Sequence, residues 1–233
     1  MNSGRRVLLS WSSGKDSAWT LHRLRNASDV EVVALLTTFN EDADRVAMHA
    51  VPRSLLEAQA AAAGLPLWPV DLPWPCSNQD YEERMAAALE RARLESITHI
   101  AFGDVFLEDV RAYRERLLAG TGIDPLFPIW ASPEETADLA RDILSEGFRA
   151  VLTCVDLERL PGSYSGRDFD LQLLEELPAE IDPCGERGEF HTFCFDGPIF
   201  SEPISFHLHG TLSRDGYCYA NLGRGDDDGA ENE

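Results

Sequence analysis

Residues 10–17, Ser10-Trp11-Ser12-Ser13-Gly14-Lys15-Asp16-Ser17, constrain this chain more than any other stretch. They follow the apolar run Val7-Leu8-Leu9 and precede a helical pattern, so a buried strand must turn through small residues into a helix. Small side chains let backbone N–H groups approach an anion, and the N-terminus of a helix supplies partial positive charge. The pattern is that of a phosphate cradle. In it, Lys15 is expected to sit exposed and offset phosphate charge. A Walker A loop is excluded: it needs Gly five residues before Gly14, where Leu9 stands, and Ser or Thr where Asp16 stands. If position 13 requires a positive φ, Ser13 is less comfortable there than Gly.

With 233 residues, 44% of them hydrophobic, the chain can bury a sizeable core as one large domain or two small ones. No segment approaches the roughly 18 apolar residues of a membrane span. Only Val7-Leu8-Leu9 follows Arg5-Arg6, so no signal peptide is expected. Five widely spaced cysteines without Cys-x-x-Cys point to reduced thiols and a cytoplasmic setting, against a disulfide framework or a zinc knuckle. A net charge of −21, from 41 acids and 20 bases, disfavours nucleic acid as a partner. Solubility or a salt-adapted host is the plain reading of so many acids.

Strand and helix signals alternate from Arg6 to Asp156, which predicts an α/β fold: a doubly wound parallel sheet covered on both faces. Ligands in such sheets bind at the carboxyl ends of strands. The loop at 12–17, the segment Thr37–Asn40 and Gly103-Asp104 all fall at such ends and should converge on one site. After about residue 180 the texture changes to short antiparallel strands, which predicts a smaller α+β C-terminal region. The expected division is 1–130 for the domain that carries the phosphate loop, 131–223 for a C-terminal region and 224–233 for an acidic disordered tail.

A second constellation runs from Asp182 to Phe193 and holds Cys184, Gly185, Glu186, Gly188, Glu189 and His191. Clustered carboxylates can bind magnesium or an ammonium ion, or accept protons. A glycine-bulged hairpin with solvated acids is the structural alternative. Cys184 is weighed as a nucleophile, although no His-plus-carboxylate set is demonstrable for it. His207 and His209 share a strand face without a third metal ligand, which favours a solvent-facing pair. Trp11 and Trp19 are expected to pack beneath the loop.

The loop resembles the Ser-Gly-Gly-Lys-Asp-Ser loop of PP-loop ATP pyrophosphatases in the adenine nucleotide α-hydrolase-like (HUP) superfamily, departing only at Ser13. Further stretches extend the likeness over nearly the whole chain. They are Met48-His49, Gln59-Ala60, Gly64-Leu65-Pro66, Gly103-Asp104, Arg111-Ala112-Tyr113-Arg114, Pro125–Trp130 and Cys184–Phe193. Together they resemble the diphthine–ammonia ligase family, and Cys184 with His191 is similar to its bacterial branch.

The resemblance implies a ligase that uses ATP and Mg2+, with 1–130 nucleotide-binding and 131–223 substrate-binding. A carboxylate attacks the α-phosphate, pyrophosphate leaves, and ammonia displaces AMP from the acyl-adenylate. It implies that Ser12, Ser13, Gly14, Lys15, Asp16 and Ser17 hold the phosphates, with Asp16 near the metal. Thr37, Thr38, Gly103 and Asp104 would border the nucleotide. His49, Arg111, Tyr113, Arg114, Cys184 and Glu186 would meet the substrate. Lys15, Asp16, Glu186, Glu189 and His191 would carry the chemistry, the last three binding the acyl acceptor or deprotonating ammonium. The implied partners are ammonium and a carboxylate, small molecule or protein side chain, with no nucleic acid and no membrane; a homodimer is left open. Two other readings stay open on the same nucleotide chemistry: RNA modification, and a non-catalytic ATP sensor.

Overall fold

In the computed structural model, residues 4–46 and 50–224 are described. The first half alternates β1 (Arg5–Ser10), α1 (Lys15–Arg25), β2 (Val30–Asn40), β3 (Arg45–Val46), α2 (Arg53–Ala63), β4 (Leu67–Leu72), α3 (Asn78–Leu94), β5 (His99–Ala101), α4 (Glu108–Leu118) and β6 (Asp124–Leu126). Five strands pair in parallel in the order β4-β2-β1-β5-β6, and β3 adds antiparallel to the end of β2.

Alternation along β1 dictates the layers. Val7 and Leu9 face one side, in a cluster with Ala18 and Leu21 of α1 and Leu55 and Leu56 of α2; Leu8 faces the other, with Met85 and Leu89 of α3. Helices therefore cover both faces of a parallel sheet. α2 stops at Gly64, whose φ of 66° is the left-handed position that glycine favours at a helix end. The chain builds outward from β1 to β2 and β4, then returns to β5 and β6 on the opposite side. The strand order reverses between β1 and β5, and a crevice opens above their carboxyl ends.

The second half contains α5 (Thr136–Ser145), β7 (Arg149–Asp156), β8 (Asp168–Phe169), α6 (Leu171–Glu176), β9 (Phe190–Asp196), β10 (His207–Arg214) and β11 (Tyr217–Gly223). Ser132 and Glu135 form a capping box, on a short 3₁₀ turn with Pro133 that leads into α5. β7 pairs with β9 on one side and with β11 and β8 on the other, and β10 lies outside β11; every pairing is antiparallel. Strand–helix alternation up to Asp156 suggested that β7 would join the parallel sheet. It is instead the centre of the second sheet, because its near-continuous buried run meets antiparallel partners on both edges. A single apolar cluster joins α1 and α2 to β7 and β9, so the two sheets share a core. No helix among the described residues is long and apolar enough to cross a membrane, and all five cysteines are free. The expected tail beyond Arg224 lies outside the described residues.

Candidate active site

The loop after β1 is held from three directions. Ser13 adopts a φ of 73°, the left-handed conformation that a non-glycine residue enters at a cost. Its carbonyl accepts hydrogen bonds from Gln59 Nε2 (3.0 Å) and from the Cys194 backbone N–H (2.9 Å). Gly14 is extended and caps α1, and the Lys15 backbone N–H donates to Thr192 Oγ1 at 3.1 Å. Ser17 Oγ donates to the Gly14 carbonyl at 2.9 Å and lies 3.4 Å from Ser12 Oγ. The second sheet thus takes part in shaping the loop.

A cleft of about 420 Å³ opens beside it. Ser12, Lys15, Asp16 and Ser17 line it from the loop, Thr38 from β2, Gly103 and Asp104 from the end of β5, Arg114 from α4, and Cys184, Glu186 and His191 from the second half. Gly103 has a steric reason to be glycine. A Cβ there would stand 3.2 Å from the backbone C and O of Asp16 and the backbone N of Ser17, so the bare Cα relieves a tight contact where the end of β5 approaches the start of α1. Arg114 Nε sits 3.3 Å from Asp104 Oδ2. Apolar Met85, Phe102 and Leu117 complete the walls.

Lys15 is not exposed, as the loop pattern suggested it would be, although it borders the cleft. Its side chain is 1% exposed, with the ammonium 2.9 and 3.0 Å from the two Asp16 carboxylate oxygens and 2.5 Å from the Cys184 carbonyl. The rings of Phe169 and Phe190 flank it at 5.2 and 5.6 Å. Burial works against its charge, but Asp16 and its acidic neighbours outweigh that and hold its pKa above the ordinary value. Cys184 is buried, its Sγ 3.4 Å from the Thr136 carbonyl, and burial pushes its thiol well up, which removes the thiolate a nucleophile needs.

The two carboxylates of the second constellation separate. Glu186 reaches the cleft, where its Oε1 accepts from the Val105 backbone N–H at 2.8 Å. Burial, then the charges of Asp16 and Asp104, push its pKa up to about 8. Glu189 is fully buried away from the cleft; its two oxygens accept from the backbone N–H groups of Asp182 (3.2 Å) and Arg187 (2.9 Å). Gly185, at φ 71°, turns the chain just before Glu186, where a Cβ would meet the Phe190 carbonyl at 2.7 Å. His191 lines the cleft, and burial plus the Lys15 charge lower its pKa to about 4, so the imidazole is neutral.

Other expected site residues stand elsewhere. Thr37 is buried and donates to the Trp11 carbonyl at 2.8 Å, while Thr38 faces the cleft. Ser13 and Gly14 shape the loop without lining it. Arg111 lies over the rings of Phe127 and Trp130 and pairs with Glu115. Tyr113 faces a separate groove between α3 and α4. His49 lies outside the described residues. Trp11 and Trp19 are both buried, Trp11 also bordering the cleft, and His207 and His209 lie on an exposed strand. Sequence reasoning gave no role to Gln59, Asp182 or Thr192. Asp182 Oδ2 accepts from the Glu186 backbone N–H at 2.8 Å and fixes that residue's approach.

Among the described residues, no group of three or more His, Cys, Asp or Glu is arranged to hold a metal by itself. Magnesium bound to nucleotide phosphates needs only one or two carboxylates, and Asp16 and Asp104 both line the cleft. The donor chemistry fits.

Family-level comparison matches residues 5–125 to the diphthamide synthase N-terminal domain and residues 135–217 to the diphthamide synthase C-terminal domain. Diphthine–ammonia ligase from Danio rerio is 25% identical over 239 residues, covering 94% of this chain and 92% of the relative. The Bos taurus protein of the same name is 24% identical over 223 residues, covering 85% of this chain and 82% of its own. The Homo sapiens one is 24% identical over 221 residues with the same coverage.

Proposed function

Because this chain belongs to the diphthamide synthase family, we propose that its cleft uses ATP to join ammonia to a substrate carboxylate. One observation carries the reading. The start of α1 and the Glu186–His191 segment, far apart in sequence, converge on a single cleft at the switch point of a parallel sheet.

A carboxylate oxygen forms a bond to the α-phosphorus, and the α–β bridging bond breaks with its electron pair leaving on pyrophosphate. Ser12, Ser17 and the first turn of α1 face the cleft where that charge develops, which makes electrostatic stabilisation their part. Asp16 and Asp104 are the residues to hold magnesium, which offsets phosphate charge when bound. In the second step ammonia bonds to the acyl carbon and AMP departs. Ammonium must first lose a proton, and Glu186, a carboxyl titrating at about 8, is matched to accept it. His191, neutral, offers a hydrogen bond without adding charge. Lys15 orders the site rather than the phosphates: it ties the start of α1 to the carbonyl two residues before Glu186.

The carboxylate is proposed to be that of diphthine, on the strength of the relatives' shared name. The free thiols support a cytoplasmic setting. Incubation with ATP, ammonium and a diphthine-bearing substrate tests the reading. AMP and pyrophosphate, formed together with the amide, are expected; ADP as the product would contradict it.

A further inference from the structure

Gln59 sits on the apolar face of α2, among Leu55, Leu56, Ala60 and Ala63, and is completely buried. A buried primary amide is costly unless its groups are hydrogen-bonded. Here each bond reaches a different segment. Oε1 accepts from Trp11 Nε1 at 2.9 Å, and Nε2 donates to the Ser13 carbonyl at 3.0 Å and to the Cys194 carbonyl at 2.7 Å. The residue so gripped, Ser13, holds the left-handed backbone of the loop. Such a conformation persists at a non-glycine residue only where its surroundings over-determine it. The Ser13 side chain supplies no such support, since its buried hydroxyl has no hydrogen-bond partner.

We infer that Gln59 is a positioning residue for the first step: through the Ser13 carbonyl it fixes the left-handed turn that aims the start of α1 into the cleft. Gln59 itself does not line the cleft. Trp11 and β9 hold the amide in orientation, so α2, the loop and the second sheet are locked at one point. The inference rests on the reading that this cleft binds ATP.

The test is a double-variant cycle read by calorimetric titration with ATP and magnesium. Gln59→Met keeps the volume and removes all three bonds. It should weaken ATP binding by about tenfold, the scale of a left-handed residue's cost, while kcat at saturating ATP changes less. Ser13→Gly, in which glycine adopts that backbone freely, supplies the reference affinity for the cycle. Added to Gln59→Met, it should recover most of the lost affinity. A purely structural Gln59 would show no such rescue. Wild-type affinity in Gln59→Met, or a double variant no better than Gln59→Met, overturns the inference.

If Gln59→Met does not fold, Gln59→Glu keeps the acceptor for Trp11 and loses the donors. Its ATP affinity should then rise as pH falls and the carboxyl regains a proton, and an affinity that does not respond to pH counts against the inference. Failure of the wild type to bind ATP would refute the assignment of the cleft instead. The hold of Gln59 on Ser13 would then be judged by the same cycle in thermal melting, where rescue by Ser13→Gly supports it and its absence overturns it.

Discussion

The Lys15 ammonium donates to the Cys184 carbonyl at 2.5 Å, across 169 positions of sequence. The first residue of the nucleotide-loop helix thereby fixes the segment that delivers Glu186. Lys15→Ala removes a buried cation and leaves Asp16 facing Asp182 and Glu186 without compensation. Breaking such a pair should cost about 3 kcal/mol, since Asp16 keeps some contact with solvent. Urea unfolding measures this; an unchanged midpoint would mean that the ammonium is solvated.

Glu189 should behave as a structural residue. Both of its carboxylate oxygens accept backbone N–H groups in a fully buried site, and Glu189→Gln would turn an N–H donor toward one of them. The expected cost is about 1–3 kcal/mol, with adenylation and amidation falling together. Loss of amidation alone, at unchanged stability, would return Glu189 to the chemistry.

Gly103→Ala tests the closeness of β5 to α1. The added methyl meets Asp16 and Ser17 backbone at 3.2 Å, and backbone yields less readily than a side-chain tip. Destabilisation of about 1–3 kcal/mol is expected, together with weaker ATP binding. Wild-type affinity in the folded variant would show that the loop position is not critical.

Glu186 makes the stability of the free protein depend on pH. Its carboxyl titrates at about 8 in the fold against an ordinary 4.5, so between those values the folded chain holds a proton that the unfolded chain has lost. Its contribution is therefore most favourable below pH 4.5 and is lost as pH rises through about 8. Glu186→Gln cannot ionise. It should melt above the wild type at pH 9, with the gap closing toward pH 5. A gap independent of pH would mean that Glu186 is already ionised at neutral pH.

The parallel sheet and the position of the loop were legible in the sequence because β1 carries an unbroken apolar run and α1 an apolar helical face, with small residues between them. The pairing of Thr37 with Thr38 was not a site of two residues. Successive strand side chains face opposite sides, so only Thr38 lines the cleft. α4 was hidden because Glu108–Leu118 is dominated by charged residues. Without that helix, Arg111, Tyr113 and Arg114 read as one motif, whereas helical spacing sends only Arg114 to the cleft. The burial of Lys15 had no local signal at all, since Phe169 and Phe190 come from the other half of the chain. Gln59 did leave a trace, as one polar residue on the buried face of an otherwise alanine- and leucine-rich helix.

The cleft is proposed to run two separable steps, with Glu186 serving only the second. The most direct measurement compares Glu186→Gln with the wild type in two assays on the same preparation: exchange of labelled pyrophosphate into ATP without ammonium, and amide formation with it. Exchange should persist within about threefold while amidation falls by about 10²-fold or more, the scale of a lost general base. Wild-type amidation by the variant, or collapse of exchange along with amidation, would contradict the account.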